Sequence, residues 1–240
     1  MDECISNGRN IVDVKLSSGH HLCYINQTGV LTNVLERGYQ RDSSLQFITQ
    51  SDLTPGIYEG GFKVWECSID LCEYIDLLEP QIFKDKKVLE VGCGAGLPSM
   101  LLLYKGAREV ALQDYNEVVI NCFTRDNFKA NNLCLERCRF YACDWTTLRG
   151  KISNEKFDII LTSETIYNKQ YYGDLHDLFD AALSTDGIIF LAAKMYYFGV
   201  GGDMPTFQEY VRTRGVFDSC VCWSSNSNVS RRIIKLLRHR

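Results

Sequence analysis

Residues 88–98 read VLEVGCGAGLP, and this stretch together with Asp114 decides the fold. A short apolar run, typical of a buried strand, leads into glycines at alternate positions, and apolar residues at 97–104 then predict a helix. Asp114 closes a second apolar run, 18 positions after Gly96. This order predicts a strand–helix–strand unit that holds a nucleoside, because the glycines let the backbone approach the ligand and the acid accepts from both ribose hydroxyls.

The spacing of these glycines indicates which nucleoside is bound. A dinucleotide-binding loop reads G-x-G-x-x-G, and the pyrophosphate sits at the N-terminus of the following helix. Here the spacing is G-x-G-x-G, and Pro98 and Ser99 stand where the third glycine would be. The loop therefore favours S-adenosyl-L-methionine, which has no pyrophosphate, over the cofactor of a dehydrogenase. A glycine-rich turn without a ligand is the alternative, and Glu90 and Asp114 at their expected positions argue against it.

Composition excludes several classes of protein. The chain has 240 residues, 45% of them hydrophobic and 23% charged, which is the ordinary globular range. Its formal net charge of −4 argues against a general nucleic-acid-binding surface, although a basic C-terminus leaves an RNA-binding tail as the less favoured reading. No apolar stretch approaches the roughly 20 residues that span a membrane. We expect direct contact with neither nucleic acid nor membrane.

The eleven cysteines are an odd count in a long chain whose first residues lack the apolar core of a signal peptide. We therefore expect reduced, buried cysteines and a location in the cytoplasm or the nucleus. Five cysteines could be read as zinc ligands, but their spacings are not those of a zinc ribbon or finger: Cys134, Cys138, Cys143, Cys220 and Cys222. No metal is expected.

Two regions differ in character. Residues 1–56 predict an N-terminal arm, in which alternating segments at 11–16 and 21–25 flank a Ser-Ser-Gly turn and form a β-hairpin. Residues 57–240 predict a single S-adenosylmethionine-dependent methyltransferase domain.

Within that domain, predicted helices alternate with strands until a final pair of strands. The strands are expected at 88–92, 109–113, 138–143, 157–162, 187–193, 216–223 and 228–237. The helices are expected at 69–78, 97–105, 116–130, 171–183 and 204–214. The fold class is α/β, a doubly wound, Rossmann-like, mostly parallel seven-stranded sheet with an antiparallel strand at or near one edge.

Ligands of such sheets bind beyond the carboxyl ends of the strands, so the residues there are the candidate site. We expect Asp114 to hold the ribose, Asp144 to accept from the adenine amine, and Trp145 to supply an apolar wall. Asp144 as a helix N-cap, Trp145 as core, and Ser163 and Glu164 as capping residues are the alternatives. The cofactor-binding candidates at the strand ends are Gly92, Gly94, Gly96, Asp114, Tyr115, Asn116, Cys143, Asp144, Trp145 and Ser163.

Several strings resemble the protein-histidine N-methyltransferases that modify a large-subunit ribosomal protein. The strings are GGFKVWEC at 60–67, QDYN at 113–116, DW at 144–145, SETIYN at 163–168 and YFGVGG at 197–202. The resemblance covers roughly residues 45–237, and the last two strings are its most specific part. Related lysine methyltransferases share the early tryptophan and the Asp-Trp pair, but tend to carry Ala-Asp-Val-Val-Tyr after the fourth strand.

The resemblance implies transfer of one methyl group to a histidine ring nitrogen of a ribosomal protein, with effects on ribosome assembly and translation. We also expect a monomer, and a nuclear location would include the nucleolus. The resemblance adds a cofactor-binding segment before the first helix of the domain, formed by Val64, Trp65, Glu66, Cys67 and Ser68.

A histidine acceptor needs little activation, since an imidazole with a reference pKa near 6.5 is largely neutral at cytosolic pH. The enzyme must fix the tautomer, and an acceptor for the N–H of the other ring nitrogen does this. Glu164 is the first catalytic candidate, with Asn168 and Tyr167 behind it. A protein-lysine methyltransferase and a catalytically inactive binding subunit of the same fold are the rival hypotheses.

Overall fold

A seven-stranded sheet forms the centre of the protein in the computed structural model, which describes residues 10–42, 45, 54 and 56–239. Its strand order is β5-β4-β3-β6-β7-β9-β8, and the strands from β5 to β7 in this order are parallel. β9 is antiparallel to both β7 and β8, so the predicted doubly wound, mostly parallel sheet is confirmed. The strands are β3 (Lys87–Val91), β4 (Glu109–Asp114), β5 (Cys138–Ala142), β6 (Phe157–Ser163), β7 (Leu183–Lys194), β8 (Phe217–Ser224) and β9 (Arg231–Arg238).

Helices cover the two faces of the sheet. They are α1 (Gln27–Glu36), α2 (Glu66–Asp76), α3 (Leu97–Tyr104), α4 (Glu117–Val119), α5 (Arg125–Ala130), α6 (Trp145–Lys151), α7 (Tyr172–Ala182) and α8 (Met204–Arg214). Short 3₁₀ turns lie at Pro80–Ile82, Leu135–Arg137 and Lys169–Tyr171. Within the described residues no helix is both long enough and apolar enough to cross a membrane.

Two helices are absent from the sequence-based prediction. α1 begins after Asn26, whose side chain accepts from the Gly29 amide at 3.0 Å, and only three of its residues are buried. α6 begins after Asp144, and Leu148 is its one buried residue. α6 has too few apolar positions to show the periodicity from which helices are recognised. α1 does carry apolar residues at helical spacing, at positions 30, 31, 34 and 35, but within a stretch predicted as the connecting arm. The predicted helix at 116–130 is also interrupted, since a π-helical segment, Ile120–Thr124, joins α4 to α5.

The predicted hairpin is confirmed as the antiparallel pair β1 (Ile11–Lys15) and β2 (His21–Ile25). Side-chain amides after α4 tie β2 to the sheet domain: Asn131 accepts from the Cys23 amide at 2.9 Å and Asn127 from the Ile25 amide at 2.8 Å. Residues 1–9 and most of 43–55 of the predicted arm lie outside the described residues.

The parallel strands are buried on both faces, which explains their nearly continuous apolar sequences. Alternate residues point to opposite faces, so Val88 joins the apolar cluster that contains α3 while Leu89 joins the cluster that contains α7. Glu90 interrupts this pattern. It is 2% exposed, and its carboxylate accepts from the Ser99 amide at the start of α3 at 2.9 Å.

Glu90 is expected to make the protein progressively less stable as the pH rises from about 4.3 to about 8. Burial raises the pKa of Glu90 to about 8, although hydrogen bonds from Ser99 lower it and the charge of Asp114 raises it further. The folded protein therefore holds a proton that the unfolded chain, with a reference carboxyl pKa near 4.3, has released. Between these two pKa values, each rise of one pH unit lowers the free energy of unfolding by up to about 1.4 kcal/mol.

Thermal unfolding measured from pH 5 to pH 9 checks this expectation. Glu90→Gln keeps the shape without the titration, so its melting temperature should decline less over this range than that of the wild type. Parallel curves for the two proteins would show that Glu90 does not hold the proton.

Candidate active site

A cavity of about 330 Å³ lies where the carboxyl ends of β3, β4, β5 and β6 meet, and the segment 56–68 before α2 forms its remaining wall. This is the point where the chain connections from β3 and β6 leave in opposite directions along the sheet, the usual ligand position in such folds. The volume is within the range of about 300–1,000 Å³ of small-molecule sites. The structure thus provides a ligand-sized space where the sequence predicts the site.

The glycine loop after β3 directs its backbone toward this cavity. Gly92 and Gly94 have φ values of 64° and 47°, in the left-handed region that favours glycine. The Gly94 amide donates to Asp114 Oδ2 at 2.9 Å, and a Cβ at Gly94 would lie 3.0 Å from the Gly61 carbonyl oxygen. Any side chain at Gly94 would push the wall segment away from the loop.

Gly96 has a packing role. It does not line the cavity, and a Cβ there would lie 2.7 Å from Cε2 of Phe128 in α5. Gly96 therefore allows close packing between the start of α3 and α5. Its contact with the cofactor stays a prediction.

Asp114 lies at the end of β4 and lines the cavity although it is only 4% exposed. Burial raises its pKa to about 6, while backbone amides of Gly94, Asn116 and Tyr115 act in the opposite direction. One carboxylate oxygen is held by Gly94, which orients the group. The arrangement is that of a fixed carboxylate able to accept hydrogen bonds from ligand hydroxyls, as predicted.

Gln113, beside Asp114, is a site residue that the sequence-based selection left out. Its Oε1 accepts from the Gly92 amide at 3.1 Å and from Trp145 Nε1 at 3.2 Å, while its Nε2 donates to the Cys143 carbonyl at 2.7 Å. It therefore connects the loops after β3 and β5. The available signal was a polar side chain inside an otherwise apolar, fully buried strand, because such a group must find partners.

Asp144, after β5, was predicted either to cap a helix or to contact adenine, and its position is compatible with both roles. Its two carboxylate oxygens accept from the amide and the hydroxyl of Thr147, each at 2.7 Å, so Asp144 is the N-cap of α6. Asp144 also lines the cavity, as does Trp145, whose ring packs edge-on against Tyr171 at a centroid distance of 6.4 Å. Capping is therefore observed for Asp144, and its contact with adenine stays a prediction.

The wall segment supplies Trp65. Its Nε1 donates to the Gly60 carbonyl at 3.1 Å, and Lys63 and Lys194 place their ammonium groups 4.5 and 5.0 Å from the centre of its ring. Val64, Trp65 and Ser68 line the cavity.

Four other candidates for cofactor contact do not line it: Glu66, Cys67, Asn116 and Cys143. Helical periodicity explains part of this, since Trp65 and Ser68 share one face while Cys67 points into the core and is 1% exposed. Asn116 is used by the wall segment, donating to the Ile57 carbonyl at 2.8 Å. Cys143 accepts from Gln113 through its backbone carbonyl. All four are observed in supporting positions, and their contact with the cofactor stays a prediction.

The end of β6 brings Ser163, Glu164, Thr165 and Tyr167 to the cavity. Glu164 has a φ of 58°, which costs a non-glycine residue energy and persists at functional sites. Its side chain is only 8% exposed, and no hydrogen bond of normal geometry reaches either carboxylate oxygen from the described residues. Lys194 Nζ lies 3.8 Å from Oε1, and the Cys67 thiol and the Tyr197 hydroxyl also interact with this carboxylate. A strained, buried carboxylate whose partners are all placed loosely can receive a better donor from a ligand.

The other two catalytic candidates are already engaged. The Tyr167 hydroxyl donates to a carboxylate oxygen of Glu59. Burial raises the pKa of Tyr167, and the charge of Glu59 raises it further, so the hydroxyl stays protonated. Asn168 accepts from the Gln170 amide at 3.0 Å and does not line the cavity. Asn168 is thus a capping residue of the turn after β6, and its catalytic role stays a prediction.

Further lining residues escaped the sequence-based selection: Glu59, Gly60, Gly61, Thr165, Tyr171 and Asp174. Gly60 and Gly61 open the GGFKVWEC string at 60–67, and a glycine pair just before a helix indicates a close approach of the backbone to a ligand. Asp174 and Tyr171 reach the cavity from α7 and the turn before it, and nothing local in the sequence marks them. Among the described residues, no group of three or more His, Cys, Asp or Glu side chains is arranged to hold a metal ion.

Comparison with known proteins identifies relatives. The chain is 36% identical over 247 residues to the histidine protein methyltransferase 1 homologue of Bos taurus, covering 90% of this chain and 65% of that protein. The homologue of Dictyostelium discoideum is 45% identical over 168 residues, covering 70% and 53%. That of Mus musculus is 40% identical over 205 residues, covering 73% and 56%. The chain therefore spans about half to two thirds of the length of these relatives.

Solved structures share the fold. A candidate methyltransferase complexed with SAH has a TM-score of 0.60 at 12% identity, covering 97% of this chain and 57% of that chain. A ribosomal protein L11 methylase from Lactobacillus delbrueckii subsp. bulgaricus has a TM-score of 0.51 at 16% identity, covering 72% and 78%. Such likenesses show a Rossmann-like methyltransferase fold.

The resemblance to protein-histidine methyltransferases, drawn from the strings around the cavity, is confirmed by these relatives. A family model described as lysine methyltransferase matches residues 42–198, more than half of the chain, including the wall segment, the glycine loop and the end of β6. On this evidence the chain belongs to the lysine methyltransferase family.

Proposed function

We propose that the protein is an S-adenosylmethionine-dependent methyltransferase that adds one methyl group to a ring nitrogen of a histidine in a large-subunit ribosomal protein. The observation that carries the proposal is the placement of Glu164, a buried carboxylate on a left-handed backbone at the edge of a nucleoside-sized cavity. The relatives named histidine protein methyltransferase 1 support the choice of acceptor. Effects on ribosome assembly and translation would follow from modification of that substrate.

The cavity residues fit the methyl donor. Asp114, held by the Gly94 amide, presents a carboxylate to the ribose hydroxyls, and the backbone of the glycine loop lies alongside. Trp65 and Trp145 supply apolar walls. When bound, S-adenosylmethionine provides the activated methyl group.

Glu164 would act on the acceptor. A neutral imidazole has one N–H, and Glu164 accepts a hydrogen bond from it, which fixes the tautomer and leaves the other nitrogen free for in-line attack. This attack would form the bond between nitrogen and the methyl carbon as the methyl–sulfur bond of the donor breaks, leaving a neutral thioether and a cationic ring. Glu164 then stabilises this charge and takes the N–H proton, which passes to solvent and leaves a neutral methylated ring.

The proposal includes a protein substrate as the partner, without direct contact to nucleic acid or membrane, and a protein that acts as a monomer. It also includes a location in the cytoplasm, the nucleus or the nucleolus. The formal charge of −4 supports a basic protein as the substrate, because opposite net charges favour encounter.

A lysine acceptor is the second candidate function. The matching family model is described as lysine methyltransferase, and a protein N-terminal and lysine N-methyltransferase of Schizosaccharomyces pombe is 31% identical over 119 residues. The buried carboxylate of Glu164 could also receive an ammonium group. The two acceptors differ in product, because lysine takes up to three methyl groups and a histidine nitrogen takes one.

The test uses the purified chain with isotope-labelled S-adenosylmethionine and ribosomal extract from cells that lack the enzyme. We expect label on one large-subunit protein, located by mass spectrometry as a single methyl on histidine. Label on lysine would establish the second candidate. Cofactor binding by calorimetry without transfer to any protein would indicate a binding subunit instead.

A further inference from the structure

Within the proposed function, on which this inference rests, we propose that Lys194 determines the acceptor. Its ammonium group, beside Glu164 and behind the cavity wall, favours a neutral ring and disfavours a cationic acceptor. Lys194 acts through its charge on a substrate that Glu164 holds. It thereby favours histidine over lysine as the side chain that is methylated.

The sheet places Lys194 next to Glu164. Lys194 is the last residue of β7, which pairs in parallel with β6, and the Glu164 amide donates to the Ala192 carbonyl at 2.9 Å. From there Lys194 Nζ lies 3.8 Å from Glu164 Oε1 and 3.3 Å from Glu66 Oε2. The side chain is 19% exposed and lies against the Trp65 ring. Its charge is therefore poorly screened by solvent.

The loop after β7 places the uncharged hydroxyl of Tyr197 beside Lys194 and Glu164. The Tyr197 hydroxyl accepts from the Lys194 amide at 3.2 Å. Burial raises the pKa of Tyr197, and the charge of Glu164 raises it further, so Tyr197 carries no charge at neutral pH.

Helix α2 faces the same carboxylate with three titratable groups. Burial, followed by the charge of Glu164, raises the pKa of the Cys67 thiol, which stays neutral. Glu66 contacts Lys194, and Asp70 is paired with Arg231 of β9 at 2.5 Å. Within the described part of the chain, Lys194 is the cationic side chain that approaches Glu164 within 4.0 Å. The cavity that receives the ring is also lined by one further cation and several acids: Lys63, Glu59, Asp114, Asp144 and Asp174.

The charge of Lys194 is stable. Burial lowers its pKa, but the carboxylates of Glu164 and Glu66 outweigh this, and the pKa is raised above its ordinary value. A ring whose N–H donates to Glu164 thus lies within a few ångströms of a permanent positive charge. A like charge at about 4–6 Å disfavours a second cation, so the pKa of the bound imidazole is lowered by about one unit relative to a site without Lys194.

The selection follows from this shift. Because the pKa of an imidazole is close to neutral pH, the ring loses its extra proton readily and binds in the reactive neutral form. A lysine ammonium, with a reference pKa near 10.4, retains its charge and meets repulsion from Lys194. Without Lys194, the carboxylate alone would attract both cationic acceptors.

The experiment uses a peptide that contains the acceptor histidine, not yet methylated, with its imidazole labelled by ¹³C. The ring is titrated while the peptide is bound to the full chain. NMR gives the pKa of the bound ring in the wild type, Lys194→Met, Lys194→Arg and Lys169→Met. Lys169 is a matched control, because its ammonium pairs with Asp203 at 3.3 Å. We expect Lys194→Met to raise this pKa, and the acid limb of kcat, by about one pH unit. The two other variants should match the wild type.

A second arm replaces the acceptor histidine of the peptide by lysine, and Lys194→Met should bind this peptide about tenfold more tightly than the wild type does. The proposal would be overturned if the pKa of the bound imidazole were unchanged in both Lys194→Met and Lys194→Gln while kcat fell equally at all pH values. Lys194 would then have a structural role only. Failure of the proposed function looks different: the wild type would then bind the lysine peptide better, or methylate neither peptide.

Discussion

Glu164→Gln is expected to lower kcat for histidine methylation by about a hundredfold or more, with the dissociation constant of S-adenosylmethionine unchanged. Positioned acid–base groups typically contribute factors of about 10²–10⁴. Glutamine fills the same space, but it cannot take the proton, and its NH₂ group can face the ring and select the wrong tautomer. The replacement also weakens the ion pair with Lys194 and the contacts with Cys67 and Tyr197, so the dissociation constant of the cofactor is measured beside turnover.

Stability should separate this effect from misfolding. Glu164 holds an unfavourable left-handed backbone and a buried charge, so Glu164→Gln should melt at a temperature no lower than that of the wild type. Glu155→Gln is the matched control, since Glu155 pairs with Arg139 at 2.6 Å, away from the cavity lining. Its kcat should be that of the wild type. Equal turnover in Glu164→Gln and Glu155→Gln would remove Glu164 from the mechanism.

Asp114→Ala is expected to weaken binding of S-adenosylmethionine by about a hundredfold. Hydrogen bonds to a charged group contribute about 1.5–3 kcal/mol each, and a loss of about 3 kcal/mol corresponds to roughly two powers of ten in Kd. The variant also leaves the Gly94 amide without its acceptor, so the glycine loop loses its orientation. Isothermal titration calorimetry measures the change.

Asp158→Ala is the control for this experiment. Asp158 also accepts from a backbone amide, that of Lys87 at 2.8 Å, but at the amino end of the same sheet. It should lose stability without losing affinity. Affinity close to that of the wild type in Asp114→Ala would overturn the ribose assignment.

Cofactor affinity is also expected to fall as the pH falls through about 6. Burial raises the pKa of Asp114 to this value, so below it the carboxyl carries a proton and accepts hydrogen bonds less well. Since the ligand binds the ionised form, the apparent Kd should rise about tenfold for each pH unit below the pKa. Asp114→Asn, which does not titrate, should show a flatter profile between pH 5 and pH 7.

Local sequence signals were sufficient for most of the framework. The strand β3, the glycine loop and Asp114 lie close together in the chain. One physical requirement explains their pattern, which is the close approach of the backbone to a nucleoside. Helix α6 was missed because it buries few residues and is specified by its N-cap, and α1 because it lies in a stretch predicted as the connecting arm. The strings after β6 and β7 pointed to the acceptor side through resemblance, since local chemistry alone does not distinguish Glu164 from a capping residue.

By itself, the sequence determined the sheet class, the position of the glycine loop and the acid at the end of β4, because these depend on periodicity and short-range spacing. Only the tertiary structure decided which candidates reach the cavity. Gly96 packs against Phe128, Asn168 caps a turn, and Glu164 is left buried beside Lys194, 30 positions later in the chain. The contacts of Gly96 and Glu164 join segments that are distant in sequence, and a side chain's partners in another strand or helix are not encoded by its neighbours along the chain.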